Sequence, residues 1–347
     1  MSEPSPRSVL LVRPSALGDV CRSVPVLAAM RGIWPEARLG WLVQSEFTDA
    51  IRAHPDLDEI IPFPRSRFRG AWKSPRKMTQ LLKFMGFLRR SEWDMVIDCQ
   101  GLARSALFAR LTRSRTRTGF SGADEAAWIH YTNRVSVDET HAVDRMMGLL
   151  ESSVDARNPD MRLYTPDNDV RWWNLNPGRP NAYVVFAPKS RWASKEWPGE
   201  RWVELAEDLS LSAAADVILT GSAGEREAVD RLAHDMNSKG VHAISLAGRT
   251  SIGQTMAVIE KASLVVANDS APMHMAVGFG RPLVGLFGPT DPSEVGPYGR
   301  SDAVIRPRGA LGKGRDYRMP SEQSGSMADI EVAEVLEAAI RQMEGRR

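Results

Sequence analysis

LVVANDSAPMHMAVGFGRPLVGLFGPTDPSEVGPYG, residues 264–299, carries two short apolar runs with a polar turn and a helical pattern between them. Leu264–Ala267 is too short for a helix and too apolar for an exposed segment, so it reads as a strand buried on both faces. Asn268, Asp269 and Ser270 follow as helix N-cap candidates, with Pro272 in the first helical turn, where an N–H has no intrahelical partner to lose. First-turn N–H groups stay available to a ligand anion. His274 lies one turn beyond Ser270 and can face the same side. Pro282–Phe287 reads as a second buried strand ending in Gly288-Pro289-Thr290, a loop with little side-chain bulk. Two buried strands joined through a helix belong to a parallel sheet, whose C-terminal edge is where open α/β folds bind ligands. Ordinary helix capping uses the same residues, so this stretch by itself leaves an anion site and a plain cap both open.

The same grammar repeats along the chain. Ser8–Arg13 reads as a first strand, Pro14–Asp19 as the loop behind it and Val20–Gly32 as a helix, which places Asp19 at a strand's C-terminal edge, as a catalytic group or as a cap. Leu39–Val43 and Ile60–Phe63 are further strands; Asp94–Asp98 is another, followed by Cys99-Gln100-Gly101-Leu102-Ala103-Arg104-Ser105 and a helix through Arg110. Between residues 65 and 90 the charges are nine Lys and Arg, among them Arg65 and Arg67, with no Asp or Glu. The helical half reads as an amphipathic helix on the sheet, and the loop half suits an anionic ligand or an anionic membrane surface. Arg113, Arg115 and Arg117 read as a solvated turn-rich segment, and His141 as standing at a helix start. Four prolines and clustered polar residues between Asn158 and Pro180 mark a domain boundary. The Asp167-Asn168-Asp169 pattern lies in that linker and not at a strand end, so it is not read as a metal site.

Beyond the boundary Ala182–Ala187 is a strand, followed by a loop in which Ser190 can hydrogen-bond a diphosphate and Lys195 can meet it as a point charge. Asp216–Thr220 is the next strand, with Glu225 in the first turn of the helix after it, either a ribose ligand or a residue favoured by the helix dipole. Ile244–Leu246 forms another strand, and an amphipathic helix over Met327–Met343 closes the chain after a glycine-rich tail.

The wording of these loops resembles glycosyltransferase family 9, the ADP-heptose:lipopolysaccharide heptosyltransferases. The 268–299 stretch is similar to D-(S/T)-G-x-x-H followed by LFGxTxPxxxGPYG, Arg13–Val20 to R-x-S-x-L-G-D-V, Asp98–Ser105 to D-x-Q-G-x-x-(K/R)-S, and Pro188–Pro198 to P-G-(S/T)-R-x-x-x-K-x-W-P. His141-Ala142-Val143-Asp144-Arg145 resembles the H-A-V-x-R segment of the members that add the first heptose. Ala271 and Lys189 stand where the family has glycine.

The resemblance implies an α/β chain of GT-B architecture, two Rossmann-like domains facing each other across a cleft. It implies an acceptor domain over residues 1–165, a linker at 166–180, a nucleotide-sugar domain at 181–326 and a terminal helix at 327–347 packing back on the N-terminal domain. It implies inverting transfer of heptose from ADP-L-glycero-D-manno-heptose to the lipopolysaccharide inner core, at Kdo–lipid A or the first heptose. Asp19 would be the general base; Ser190, Lys195, Glu225, Asp269, Ser270, Ala271 and His274 would line the donor site, with Asp269 on heptose hydroxyls. Gln100, Arg104, His141, Arg65 and Arg67 would face an acceptor, lipid A with its Kdo residues, that is at once anionic and membrane-borne. ADP-sugar is the co-substrate, with no metal and no other cofactor expected.

Composition is consistent with this. The 347 residues suit two α/β domains, and 43% hydrophobic with 25% charged residues is ordinary for a globular protein. A net charge of +2 gives no case for nucleic acid. No signal-peptide core and no 18-residue apolar stretch is found, so the expectation is a cytoplasmic monomer with at most peripheral contact with the inner membrane. Cys21 and Cys99 are too few and too scattered for a disulfide framework and read as buried thiols. Three rival readings stand beside it: a transferase of another nucleotide sugar, a non-catalytic sugar-nucleotide binder and a Rossmann oxidoreductase. The last is disfavoured by PSALGD standing where G-x-G-x-x-G would follow the first strand.

Overall fold

The computed structural model describes residues 5–153, 159–213, 215–307 and 326–345. Two compact units divide the chain, Met1–Tyr164 and Thr165–Arg347. The glycine-rich tail, residues 308–325, lies outside the described residues.

In the first unit the order is β1 (Ser8–Val12), α1 (Leu17–Ile33), β2 (Arg38–Gln44), β3 (Glu59–Phe63), α2 (Arg65–Phe68), α3 (Pro75–Arg90), β4 (Met95–Asp98), α4 (Ala103–Leu111), β5 (Thr116–Phe120), β6 (Asn133–Val135) and α5 (Ala142–Met147). The second unit runs α6 (Asp167–Asn174), β7 (Tyr183–Ala187), α7 (Gly199–Ala213), β8 (Asp216–Leu219), α8 (Arg226–Ser238), β9 (Ala243–Ser245), α9 (Ile252–Glu260), β10 (Leu264–Asn268), α10 (Ala271–Gly278), β11 (Leu283–Leu286), α11 (Pro292–Val295), β12 (Val304–Ile305) and α12 (Val332–Glu344).

Each unit holds one six-stranded sheet, ordered β3-β2-β1-β4-β5-β6 and β12-β11-β10-β7-β8-β9, and every pairing is parallel. Counted within its own unit each order is 3-2-1-4-5-6, the doubly wound Rossmann arrangement, in which the chain reverses its direction of travel between the first and fourth strands. Those strands are β1 and β4 in one sheet and β7 and β10 in the other. Their registers set Val12 beside Asp98 and Ala187 beside Ala267, so in each unit two loops emerge side by side at the switch point. The central strands are fully buried because Val, Leu and Ile occupy both faces, as a parallel sheet covered by helices requires.

Three expectations are corrected. The segment read as a solvated turn contains β5, where Arg117 donates to the carbonyls of His130 (2.8 Å) and Ser114 (2.6 Å). The 166–180 linker contains α6, which packs on α9 and belongs to the second unit. The terminal helix α12 is part of the second unit and not a separate segment after residue 326: it buries Val335, Ala338 and Ala339 in that unit's core, against α7, β10 and β11.

The tandem tryptophans of α6 explain its attachment. Trp173 is buried and its Nε1–H donates to Tyr183 Oη (2.8 Å), whose hydroxyl donates to the Val258 carbonyl (2.8 Å). Tyr183→Phe strands a buried donor and a buried acceptor at once, so we expect about 1–3 kcal/mol of destabilisation. Thermal unfolding should show a melting temperature lower by several degrees.

Candidate active site

The first unit's switch point holds Asp19. The chain turns after β1 and α1 starts at Leu17, so Asp19 is the third residue of the helix and not part of the preceding loop, as its position in the sequence had suggested. Its Oδ2 accepts from the Ala16 N–H at 3.1 Å and lies 3.1 Å from Arg13, while Oδ1 is bonded to Arg22, one turn further along. Burial alone would push this carboxyl up. The Arg13 and Arg22 guanidiniums and the Ala16 N–H outweigh it and hold Asp19 well below the usual carboxylate range.

The loop after β4 is tied to this one. Arg13 donates to the Cys99 carbonyl, and Gln100 Oε1 accepts the Ser15 N–H at 3.2 Å. Gln100, expected to face the acceptor, therefore braces the Asp19 turn. Asp98, fully buried, accepts from the N–H groups of Gln100 (2.9 Å) and Gly101 (3.3 Å) and from Tyr131 Oη (2.8 Å). Gly101 has φ +70°, and a Cβ there would meet Phe120 at 3.2 Å, so the turn needs glycine. Arg104 follows on α4 with its guanidinium 5.8 Å from the Phe63 ring centre; burial and then the Arg65 charge lower its pKa. Arg65 and Arg67 are exposed on α2. His141 is the N-cap of α5, its Nδ1 accepting from the Val143 N–H at 3.2 Å.

The second unit's switch point gathers a tighter group. Lys195 Nζ stands 2.6 Å from Asp269 Oδ2, and both side chains are nearly buried, 11% and 10% exposed. Thr290 Oγ1 donates to the same Oδ2 at 2.8 Å, and Ser190 Oγ donates to the Asp269 carbonyl at 3.3 Å. Asn268, wholly buried, links the two loops: Nδ2 donates to the Pro188 carbonyl (2.7 Å) and Oδ1 accepts from the Trp197 N–H (3.4 Å). Lys189, where the family has glycine, is paired with Glu196 at 2.6 Å. Ser270 is the N-cap of α10 with its hydroxyl on the Asn268 carbonyl (3.0 Å), and Ala271 opens the helix. His274 is buried one turn further on. Glu225 sits apart, at the β8 edge, where Oε2 accepts the Ser222 N–H (2.6 Å) as a local cap.

Sequence reasoning missed Thr290 and Asn268 as parts of this group, and Arg13 and Arg22 as partners of Asp19. Thr290 was visible inside the quoted GPT loop; the others took their meaning from partners distant in sequence or across a helical turn. Among the described residues no three or more His, Cys, Asp or Glu gather in a way that could hold a metal ion. Both cysteines are buried and free, and burial pushes the Cys21 thiol up to about 12.

Two Rossmann-like sheets in one chain, each with its ionisable groups at the switch point, define the paired α/β class of ligand-handling proteins. A family model for glycosyltransferase family 9 (heptosyltransferase) matches residues 81–323. Lipopolysaccharide heptosyltransferase 1 of Pseudomonas aeruginosa is 32% identical over 86% of this chain and 83% of its own length. The corresponding enzyme of Escherichia coli K12 is 28% identical over 86% and 93%. The solved structure of E. coli heptosyltransferase WaaC with ADP superposes with a TM-score of 0.78 at 26% identity, covering 96% of this chain and 99% of that one. The chain belongs to glycosyltransferase family 9 and is a transferase of α/β, GT-B fold. That excludes the oxidoreductase reading.

Proposed function

We propose that this enzyme transfers heptose from ADP-L-glycero-β-D-manno-heptose to a Kdo sugar of lipid A, inverting the anomeric carbon. The observation that carries the reading is the Lys195–Asp269–Thr290 group at the second switch point, in a chain whose relatives are named for heptosyl transfer. ADP is what the solved relative holds. Lys195, Ser190 and the first N–H groups of α10 meet the diphosphate as its charge grows on leaving, with no metal required. Asp269 orients heptose hydroxyls, since a second anion against the diphosphate would repel it. Asp19 takes the proton from the Kdo hydroxyl as that oxygen attacks the face opposite the departing ADP. Such transition states resemble an oxocarbenium ion, in which the hydroxyl becomes strongly acidic only as its bond to carbon forms. A firmly held, weakly basic carboxylate therefore suffices.

The test is release of ADP from ADP-heptose with and without Kdo–lipid A, in the presence of EDTA. Acceptor-dependent, EDTA-resistant release supports the reading. Release with UDP- or GDP-sugars in place of ADP-heptose would move it to another donor, and acceptor-independent release would refute the transfer assignment.

A lipid-borne acceptor places the enzyme, a monomer in this reading, on the cytoplasmic face of the inner membrane. Among the described residues no helix is long and apolar enough to cross a membrane. Peripheral contact is supported by the 65–90 segment, whose outward side presents Trp72 (77% exposed), Arg76, Lys83 and Phe87 (45% exposed) with no acidic residue among them. A basic side chain near an anionic bilayer is worth about 1 kcal/mol, so replacing Arg76 and Lys83 by Gln should weaken binding to anionic phospholipid vesicles roughly 30-fold. Sedimentation at two salt concentrations checks this, and equal binding to neutral vesicles would refute it.

A further inference from the structure

Arg22 is an unusual residue to find where it is. Its side chain is only 9% exposed, within Val20–Leu27, a stretch of α1 that is buried at every position. Among the described residues its Nε and one terminal nitrogen have no hydrogen-bond partner, so Asp19 is what compensates the buried cation. Taking a guanidinium out of water costs several kcal/mol and one imperfectly satisfied ion pair does not recover it, so packing alone would favour an unbranched apolar chain here.

What the arrangement does accomplish is to orient a carboxylate. Two carboxylate oxygens offer about four acceptor positions. Arg13 and the Ala16 N–H engage Oδ2, and Arg22 engages Oδ1, which leaves one position, on Oδ1, in a direction set by the three donors. We infer that Arg22 is a positioning residue for the transfer reaction: it locks the Asp19 carboxylate so that Oδ1 receives the acceptor's proton. This rests on the reading of Asp19 as the base.

Among the described residues, few groups around Asp19 carry or can carry charge. They are Arg13 behind β1, Arg22 and Cys21 on α1, Asp98 and Cys99 at the end of β4, Glu46 and Asp49 in the short helix after β2, and His141, Asp144 and Arg145 at the start of α5, which packs on α1. Of these, Arg13 and Arg22 touch the carboxylate. With both present Asp19 stays ionised below the ordinary carboxylate range, so its protonation limits transfer only at very low pH. Removing one of two opposite charges raises such a carboxyl by about 1–3 pH units.

The experiment is the pH dependence of kcat/KM from pH 8.5 down to the lowest pH at which each protein stays folded, for wild type, Arg22→Met, Arg22→Gln and Arg22→Lys, folding being followed at every pH by circular dichroism. We expect kcat/KM of the two neutral variants to fall on the acid side at a pH where wild type and Arg22→Lys are still on their plateau, the Asp19 carboxyl having moved up by about 1–3 pH units. Should Arg22→Met not fold, Arg22→Gln carries the comparison, and the Asp19 carboxyl can be followed by 13C NMR titration in Arg22→Gln at pH values where it remains folded. A loss by the same factor at every pH, or a carboxyl that titrates as in wild type, would overturn the inference. Asp19→Asn is run alongside: if it stays active the base assignment itself falls, whereas an inactive Asp19→Asn with an unmoved Arg22 profile sinks only the role of Arg22.

Discussion

Asp19→Asn should lower kcat by a factor of about 10²–10³ while leaving the KM for ADP-heptose within a few-fold of wild type, because a positioned general base contributes about that much and Asp19 takes no part in the donor group around Lys195. Asparagine is the informative replacement. Its amide oxygen can still accept from Ala16 N–H or from a guanidinium, so the turn after β1 keeps part of its bracing. Asp19→Ala leaves the Arg13 and Arg22 guanidiniums facing each other with no anion between them, and the nearly buried Arg22 then has no counter-charge. Stability should separate the two variants where activity does not. Because the folded pKa of Asp19 lies below its unfolded value, its ion pairs contribute stability above about pH 4 and lose it as the pH falls through the folded value. At neutral pH both variants lose that contribution, and Asp19→Ala should melt lower than Asp19→Asn. Retention of wild-type kcat by a folded Asp19→Asn would remove the general base from the mechanism.

What the amino-acid order reveals here, and what it hides, divides along a physical line. The strands at the two switch points are legible because a parallel strand buried on both faces must be apolar throughout, as VLLV in β1 and YVVFA in β7 are. The outer strands of the first sheet are not: β5 reads TRTGF and β6 reads NRV, polar enough to pass for turns, since β6 is the sheet's edge and β5, next to it, is only partly buried. Prolines around α6 suggested a linker, yet what decides its membership is Trp173 meeting Tyr183, a contact no local pattern encodes. Likewise the amphipathic pattern of α12 says that one face is covered but not by which partner. Among the candidate residues, Asp19, Lys195, Asp269 and Ser190 were named from the loops that hold them. Their partners were harder to see. Asn268 looked like a cap, and only the fold shows it tying Pro188 to Trp197 across some 80 and 71 positions of sequence. Arg13 closed a strand and Arg22 sat in a helix; neither position announces that both point at one carboxylate.

Lys195 and Asp269 should part company when each is neutralised, and that divergence is the sharpest test of the donor site. Lys195 was expected to serve as a simple point charge for the diphosphate, but its ammonium already lies 2.6 Å from Asp269, in surroundings where both side chains are about nine-tenths covered. An ammonium has three donors, so one can stay on Asp269 while others turn to phosphate oxygens. Asp269 thus aims the cation and at the same time tempers it. Lys195→Met removes a charge-assisted donor to the leaving group and strands Asp269 as a buried anion, now beside an incoming diphosphate. Transfer should fall by about 10²–10³ and ADP should bind markedly more weakly. Asp269→Asn does the opposite to the charge balance: the ammonium is released to the phosphates, so ADP should bind at least as tightly as to wild type. Transfer should still fall, by about 10² or more, because Asp269 no longer holds the sugar hydroxyls and the Thr290 hydroxyl loses its anionic acceptor. Calorimetric titration of ADP into both folded variants, alongside ADP-release kinetics, reads the two effects separately. If both neutralisations weaken ADP binding alike, Asp269 contacts the nucleotide through a bridge rather than the sugar, and the division of labour proposed for this pair is wrong.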